Sequence, residues 1–389
     1  MRTICEMLAS FPERFQVRGV VTSSTEHGLP GDVAGLLASL GVSPSIDRQA
    51  GGGPDILRFQ YGGISYAMMD TGPGLVREWE PVHGAAFTRL VEREAESFRP
   101  DLVLTFGGQP GEVARRKLVR DMGAAVVFGL RNHGYLLRTA FAHVDAVLSS
   151  SRYLSGLYES KIGLISTPMP VPLNESEVLA DAHEPVMCTF VNPSAPKGVM
   201  HFARLAEYLC VRRPDIPFLV VESRGTAGTL VQAGLAGGFD LRRHANILTS
   251  PGVSEPRLIF AATRVLLVPS VWQEPSGRVA AEAMINGVPP IVSERGGLPE
   301  TVEGAGFVLP LPDHLTQDTR VPVGEADVVG WFELIQRLFD DEPFYAAASA
   351  RCRATAERFR FASVAPLYAA FFERVARRGD ARFGPGIPS

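Results

Sequence analysis

Residues 268–300 read VPSVWQEPSGRVAAEAMINGVPPIVSERGGLPE, and this stretch decides the fold that the sequence predicts. It opens at the end of an apolar strand, passes through a loop that carries Glu274, and enters a helix near Ser276 or Gly277. Gly287 is predicted to end that helix, because glycine readily adopts the left-handed conformation found after a helix. A second apolar strand follows. Strand, helix and strand in this order form a βαβ unit, the building block of a parallel sheet.

The same alternation extends through most of the 389 residues. The predicted strands are residues 17–22, 64–69, 102–106, 125–130, 146–149, 187–191, 218–221, 265–268 and 290–293. Predicted helices include residues 87–98, 200–211 and 277–286. This rhythm predicts an α/β protein made of two doubly wound, Rossmann-like domains, since the chain is too long for one ordinary core.

A proline-rich, acidic interruption at residues 167–185 predicts the boundary between the domains. We therefore expect an N-terminal domain over residues 1–170 and a C-terminal domain over residues 183–345. Beyond Asp341 the pattern is purely helical.

We expect C-terminal helices over residues 346–378, with residues 361–377 packing back across the first domain. The final residues, 379–389, are rich in glycine, proline and arginine, which is typical of a disordered tail.

Charge and cysteine usage narrow the function. The net charge is −4 and no basic tail is present, so a nucleic-acid partner is not expected. The four cysteines are widely spaced and form no metal-binding pattern. No signal-peptide core or membrane-length apolar run is seen, so we expect a cytoplasmic protein, with contact to a membrane surface left open.

The loop and helix of the opening stretch predict a ligand site. In open α/β sheets, ligands bind beyond the carboxyl ends of the strands, and Glu274 lies in a loop at that edge. Glu282 follows eight positions later within the helix, which places the two carboxylates on the order of 10 Å apart. Between them, the amides of Ser276, Gly277 and Arg278 mark a helix N-terminus that favours a phosphate. Such a segment suits a sugar and a ribose joined through a diphosphate.

These motifs carry a family resemblance. The runs EPSGRVAAEAM, NGVPPIVS and GGLPE resemble the E-x7-E signature of family four retaining glycosyltransferases, which have the two-domain GT-B fold with a central cleft. The resemblance implies that Glu274 orients the transferred sugar and that Glu282 binds the ribose hydroxyls. It places the intervening residues beside the donor: Pro275, Ser276, Gly277 and Arg278.

A second match is FVNPSAPKG, residues 190–198. The family usually carries an arginine here and, five residues on, a lysine that faces the donor diphosphate. Lys197 fits the lysine, whereas Asn192 occupies the arginine position and removes one positive charge. We therefore expect a further cation, Arg224 or Arg278, to compensate.

The N-terminal domain resembles the family less closely. His133 falls where the family often places a histidine near the acceptor, although a lone loop histidine is commonly structural. The family's first strand and glycine-rich loop are missing, because residues 2–10 already resemble the first helix. Either the start codon is placed too late or this branch has lost the element.

The basic cluster formed by Arg115, Arg116, Lys117 and Arg120 is predicted to be a solvated helix face, with an anionic acceptor or lipid headgroup as the alternative.

The resemblance implies transfer of a sugar from a nucleoside diphosphate to an acceptor hydroxyl with retention of configuration. The acceptor is left open among glycans, lipids and small molecules. No D-x-D motif occurs, so neither a metal nor another cofactor is expected. The alternatives are a non-catalytic glycosyltransferase-like binding subunit and another GT-B enzyme, such as a nucleotide-sugar epimerase or a phosphorylase.

Overall fold

A computed structural model describes residues 1–24, 32–49, 52–72, 76–253, 255–318 and 321–378. The predicted disordered tail, residues 379–389, lies outside the described residues. The chain divides into two compact units. The N-terminal unit comprises Met1–Ser149, Tyr158–Met169 and the chain from Ala365, and the C-terminal unit comprises Ser150–Leu157 and Pro170–Val364.

The N-terminal unit alternates strands and helices. Its strands are Arg18–Thr22 (β1), Ser45–Asp47 (β2), Ile56–Tyr61 (β3), Ile64–Met69 (β4), Leu102–Thr105 (β5), Ala125–Leu130 (β6), Ala146–Ser149 (β7) and Thr167–Pro168 (β8). Its helices are Arg2–Ala9 (α1), Val33–Ser39 (α2), Val76–Phe98 (α3), Pro110–Asp121 (α4) and Arg152–Ile162 (α5), the last of which begins in the C-terminal unit. A 3-10 turn covers Arg138–Phe141.

Within the described residues, these strands form two four-stranded sheets. In the first, of order β1-β4-β3-β2, β1 and β4 are parallel and the other pairs are antiparallel. In the second, of order β5-β6-β7-β8, all neighbours are parallel and β6 is buried throughout. The helix α3 packs on both, with Leu90 against the first sheet and Ala95 against the second. The predicted α/β class is confirmed, and the structure adds the division into two sheets.

Two residues of the basic cluster on α4, Arg115 and Arg116, are buried. Arg116 is 1% exposed and donates to the backbone carbonyls of Gly107, Ala140 and Ala142. Arg115 is also buried and forms two hydrogen bonds with the Glu80 carboxylate. The prediction of a solvated face is therefore wrong here, because both guanidinium groups satisfy buried acceptors instead of water.

The C-terminal unit has a longer sheet. Its strands are Met187–Val191 (β9), Phe218–Val221 (β10), Ile247–Ser250 (β11), Thr263–Val268 (β12), Pro290–Ser293 (β13) and Phe307–Leu309 (β14). Its helices are Glu175–Val178 (α6), Val199–Arg212 (α7), Ala227–Ala236 (α8), Arg257–Ala262 (α9), Arg278–Ile285 (α10), Leu298–Val302 (α11), Val329–Asp340 (α12), Glu342–Ala356 (α13) and Phe361–Arg378 (α14), the last of which belongs to the N-terminal unit from Ala365 onward. Further 3-10 turns cover Ala195–Lys197, Leu241–Arg243 and Glu357–Phe359.

Helices cover both faces of this sheet. The strand order is β11-β10-β9-β12-β13-β14 and every pair is parallel. Along β12, Val265 and Leu267 join a core that contains α7, whereas Leu266 and Val268 join a core that contains α10. This alternation, with both faces buried, is the doubly wound arrangement that the sequence predicts.

The last helix, α14, returns to the N-terminal unit as predicted. Its residues from Ala365 onward belong to that unit. There, Arg14 Nη2 lies 2.7 Å from Glu373 Oε1. The helices that the structure describes are all too short or too polar to span a bilayer.

The C-terminal unit contains a buried histidine. His201, on α7, is 1% exposed, and its Nε2 lies 3.1 Å from the carbonyl oxygen of Asp327. Because a carbonyl only accepts, Nε2 carries the proton. The Nδ1 atom is buried and finds no partner among the described residues, and Trp331 packs edge-on against the ring. Burial lowers the pKa of His201 to about 4.

We therefore expect the folded protein to lose stability below neutral pH. The unfolded chain binds a proton at His201 near pH 6.5, while the folded chain resists it until about pH 4. Stability is thus lost as pH falls through this window, by about 2 kcal/mol between pH 7.5 and 5. Urea unfolding over this range should show the fall. His201→Gln, which keeps an amide donor for Asp327, should flatten it; an unchanged pH dependence in the variant would contradict the assignment.

Candidate functional site

The strand order places a crevice between β9 and β12. The chain runs outward from β9 to one side of the sheet and from β12 to the other, so these two strands form the topological switch point. In such sheets ligands bind beyond the carboxyl ends of the strands at this point. The loops that follow β9 and β12 carry Lys197 and Glu274, and the loop after the neighbouring β13 carries Gly296.

Close backbone packing joins the first two loops. The amides of Val271 and Trp272 both donate to the carbonyl of Pro196. Gly198 has a φ of 80° and packs so closely that a Cβ there would lie 1.9 Å from the Pro269 carbonyl oxygen. Only glycine fits this position, which fixes the lysine loop against the glutamate loop.

Lys197 and Glu274 form an ion pair at this junction. The distance between Lys197 Nζ and Glu274 Oε1 is 2.5 Å, and Ser270 Oγ donates to the same oxygen at 2.7 Å. Glu274 is 8% exposed, and Ser270 is fully buried. The switch point therefore holds one carboxylate and one ammonium group in a preformed contact.

The backbone of Glu274 is held from its other side by the loop after β13. Glu274 pairs with Gly296 in an isolated β-bridge, and its carbonyl accepts from the Gly297 amide at 2.7 Å. A Cβ at Gly296, whose φ is 63°, would lie 2.3 Å from the Glu274 carbonyl oxygen. The glycines of the GGLPE run thus permit the approach that fixes the glutamate.

The amides at the start of α10 differ in their hydrogen bonding. The Gly277 amide donates to Thr301 Oγ1 at 3.1 Å, so a phosphate would have to displace that hydroxyl. The predicted place of Gly277 beside the donor stays a prediction. The amides of Ser276 and Arg278 donate to no acceptor in the part of the chain that the structure describes. The carbonyl of Pro275 accepts from Ser151 Oγ at 2.5 Å, which anchors the loop just before the helix.

Glu282 lies one turn into α10 and is 8% exposed. Arg278 Nε donates to its Oε1 at 2.7 Å. Burial raises the pKa of the Glu282 carboxyl, and the positive charge of Arg278 opposes that rise. Arg278, predicted as a compensating cation for a diphosphate, is thus engaged by Glu282 in this structure.

Asn192 and Arg224 occupy neighbouring loops. Asn192 adopts a φ of 66°, a conformation that asparagine tolerates better than most residues, and its Oδ1 accepts from the Gly225 amide at 2.9 Å. It therefore ties the loop after β9 to the loop after β10. Arg224 is an exposed residue of that second loop. Its predicted role as a second cation remains a prediction.

His133 belongs to the N-terminal unit, in the loop after β6, and is half-buried. Tyr158 braces this loop, because its hydroxyl donates to the Asn132 carbonyl at 2.9 Å and accepts from the Tyr135 amide at 3.0 Å. The prediction that His133 acts near an acceptor stays a prediction.

Sequence reasoning missed Ser270. Its position offered a signal, because Ser270 lies just after β12 and four residues before Glu274. Serine is common in loops that follow strands, so this position alone did not mark it as a site residue. Among the described residues, no group of three His, Cys, Asp or Glu side chains gathers as a metal ion would require.

Comparisons with known proteins agree with this geometry. Residues 177–316 match the family described as glycosyl transferases group 1. The chain is 27% identical over 173 residues to the D-inositol 3-phosphate glycosyltransferase of Corynebacterium aurimucosum, covering 43% of this chain and 38% of that protein. The corresponding enzyme of Corynebacterium kroppenstedtii is 27% identical over 192 residues, covering 47% and 39%. The matches thus span about two-fifths of these relatives.

Solved structures match over nearly the whole chain. Anabaena HepE in complex with UDP and glucose gives a TM-score of 0.64 at 15% identity and covers 95% of both chains. Sucrose-phosphate synthase from Thermosynechococcus elongatus gives a TM-score of 0.64 at 16% identity and covers 92% of this chain and 99% of that one. Residues 177–316 are therefore similar to glycosyl transferases group 1, and the chain as a whole shares the two-domain GT-B fold of HepE and sucrose-phosphate synthase.

Proposed function

We infer that this chain is a retaining glycosyltransferase of family four, which moves a sugar from a nucleoside diphosphate sugar to an acceptor hydroxyl. The observation that carries this proposal is the Lys197–Glu274 ion pair at the switch point of the C-terminal sheet. Glu274 lies eight residues before Glu282, whose carboxylate is also buried. A site with one cation and two acidic groups suits a ligand that combines a diphosphate with hydroxyl-bearing rings.

In the proposed reaction, the diphosphate leaves as the sugar carbon becomes electron-poor. Lys197 and the amides of Ser276 and Arg278 would stabilise the charge that develops on the leaving phosphate. Glu274 would accept hydrogen bonds from sugar hydroxyls, and Glu282 from the ribose. The acceptor proton would pass to the leaving phosphate. Donor contact by Arg278 would require it to share or exchange its bond to Glu282.

We propose that these residues act without a bound metal, in keeping with the lack of a D-x-D motif. A UDP-sugar is a reasonable first donor, because HepE was solved with UDP and glucose. The acceptor stays open among glycans, lipids and small molecules; the relatives named above act on an inositol phosphate. A cytoplasmic location is proposed because all four cysteines are free thiols.

A panel of UDP-, GDP-, ADP- and dTDP-sugars tests the proposal. We expect at least one to raise the melting temperature, because a ligand at 100 times its Kd stabilises the folded state by about 2.7 kcal/mol. The same compound should release its nucleoside diphosphate slowly in the absence of an acceptor. Binding without any release would favour a non-catalytic subunit, and conversion to a stereoisomeric nucleotide sugar would favour an epimerase. No binding by any member would contradict the donor site.

A further inference from the structure

Two donors share one oxygen of the Glu274 carboxylate. Lys197 Nζ lies 2.5 Å from Oε1, and Ser270 Oγ lies 2.7 Å from the same atom. The Oε2 atom accepts no hydrogen bond from the part of the chain that the structure describes. The carboxylate therefore has a held side and an open side.

The two donors differ in exposure and in how they are anchored. Lys197 is at the end of a long side chain and is 32% exposed, whereas Ser270 is fully buried. The carbonyl of Ser270 accepts from Ser293 Oγ at 2.6 Å, and Ser293 is fully buried on β13. Ser270 is thus fixed to the sheet, whereas the Lys197 ammonium group is partly exposed and its hydrogen bond among the described residues is the one to Glu274.

We propose that Ser270 is a positioning residue, which holds Glu274 Oε1 so that Oε2 stays directed at the donor sugar when Lys197 turns to the diphosphate. This inference rests on the proposed function. When the lysine leaves, Oε1 would lose one of its two donors inside a protein environment where an unpaired acceptor is costly. The serine bond remains and keeps the carboxylate from swinging toward the lysine or toward solvent.

The test is Ser270→Ala, assayed with the nucleotide sugar that is active in the panel and with its nucleoside diphosphate. We expect kcat to fall about tenfold, the equivalent of about 1.4 kcal/mol. The Kd of the nucleoside diphosphate, which lacks the sugar, should stay within about twofold of the wild-type value. A purely structural defect would instead weaken both ligands.

Two controls separate position from stability. Ser349→Ala removes another buried serine, on α13, whose hydroxyl accepts from Arg353. Ser349→Ala should lower the melting temperature about as much as Ser270→Ala does, but should leave kcat unchanged. In a Glu274→Gln background, adding Ser270→Ala should have little further effect on kcat, because the two residues act through one contact.

The outcomes are distinct. If Ser270→Ala kept the kcat of the wild-type protein, the inference would be overturned. It would also be overturned if Ser270→Ala and Glu274→Gln lowered kcat additively in the double variant. Either result would leave the proposed function in place. A wild-type protein that binds and turns over no nucleotide sugar would refute the proposed function, and the inference with it.

Discussion

Substitution of Lys197 by alanine is expected to lower kcat by about 10²- to 10³-fold, the range found when one preorganised donor to a developing negative charge is removed. The loss of kcat should be near 10³-fold, because Asn192 occupies the position where the resemblance implies an arginine and brings no positive charge. The Asn192 Oδ1 atom instead accepts a hydrogen bond from the Gly225 amide. In the proposed reaction, Lys197 would therefore carry an unusual share of the counter-charge. The nucleoside diphosphate Kd should rise less than kcat falls, since the charge grows as the bond breaks.

The sequence contains three lysines, and one of them outside the site, Lys117, offers a matched control. Lys117→Ala removes the same charge from α4, where the ammonium group pairs with Asp121 on the exposed surface. Its kcat should stay within about twofold of the wild-type value, because exposed ion pairs contribute little. Lys197→Arg tests geometry as well as charge and should recover only part of the rate. A Lys197→Ala variant with full kcat would contradict a leaving-group role.

The fold was predictable where local pattern and burial agree. Four of the six strands of the C-terminal sheet were predicted because buried parallel strands read as continuous apolar runs, as in β9 and β13. The outer strands β11 and β14 were not predicted, since they are short and only partly buried. The strand β3 was missed, although Gly62 and Gly63 at φ of 57° and 76° form the two-residue turn of a hairpin with β4. The Gly-Gly signal was in the sequence. The alternation of Arg58 and Gln60 with apolar residues is also a strand pattern, but the prediction followed continuous apolar runs and so missed β3.

The site was predictable only as far as residue spacing determines contacts. Glu282 and Arg278 are four residues apart on a helix, so their ion pair follows from periodicity. Lys197 and Glu274 are 77 residues apart, and their contact depends on the order of strands in the sheet. The burial of Arg116 depends likewise on carbonyls supplied by distant loops. Composition gives no signal for such contacts, which explains why that cluster was assigned to solvent.

The two glutamates should separate in kinetics. Glu282→Ala is expected to weaken donor binding at least tenfold, and to weaken the nucleoside diphosphate equally, because a ribose contact persists unchanged through the reaction. Glu274→Ala is expected to lower kcat by about 10²-fold with little effect on the nucleoside diphosphate, since a charge-assisted hydrogen bond contributes about 1.5–3 kcal/mol. Calorimetry with the nucleoside diphosphate and steady-state kinetics with the nucleotide sugar measure the two effects.

The structure also predicts side effects that these measurements must exclude. Loss of Glu282 leaves Arg278 without its carboxylate. Loss of Glu274 removes the acceptor shared by Lys197 and Ser270. Glu207→Ala supplies the matched control, because Glu207 is a half-buried glutamate of the same unit that pairs with His244 at 2.6 Å. It should lose comparable stability and keep both donor affinity and kcat. If Glu282→Ala reduced only kcat, or Glu274→Ala weakened only the nucleoside diphosphate, the assignment of ribose to Glu282 and sugar to Glu274 would be reversed.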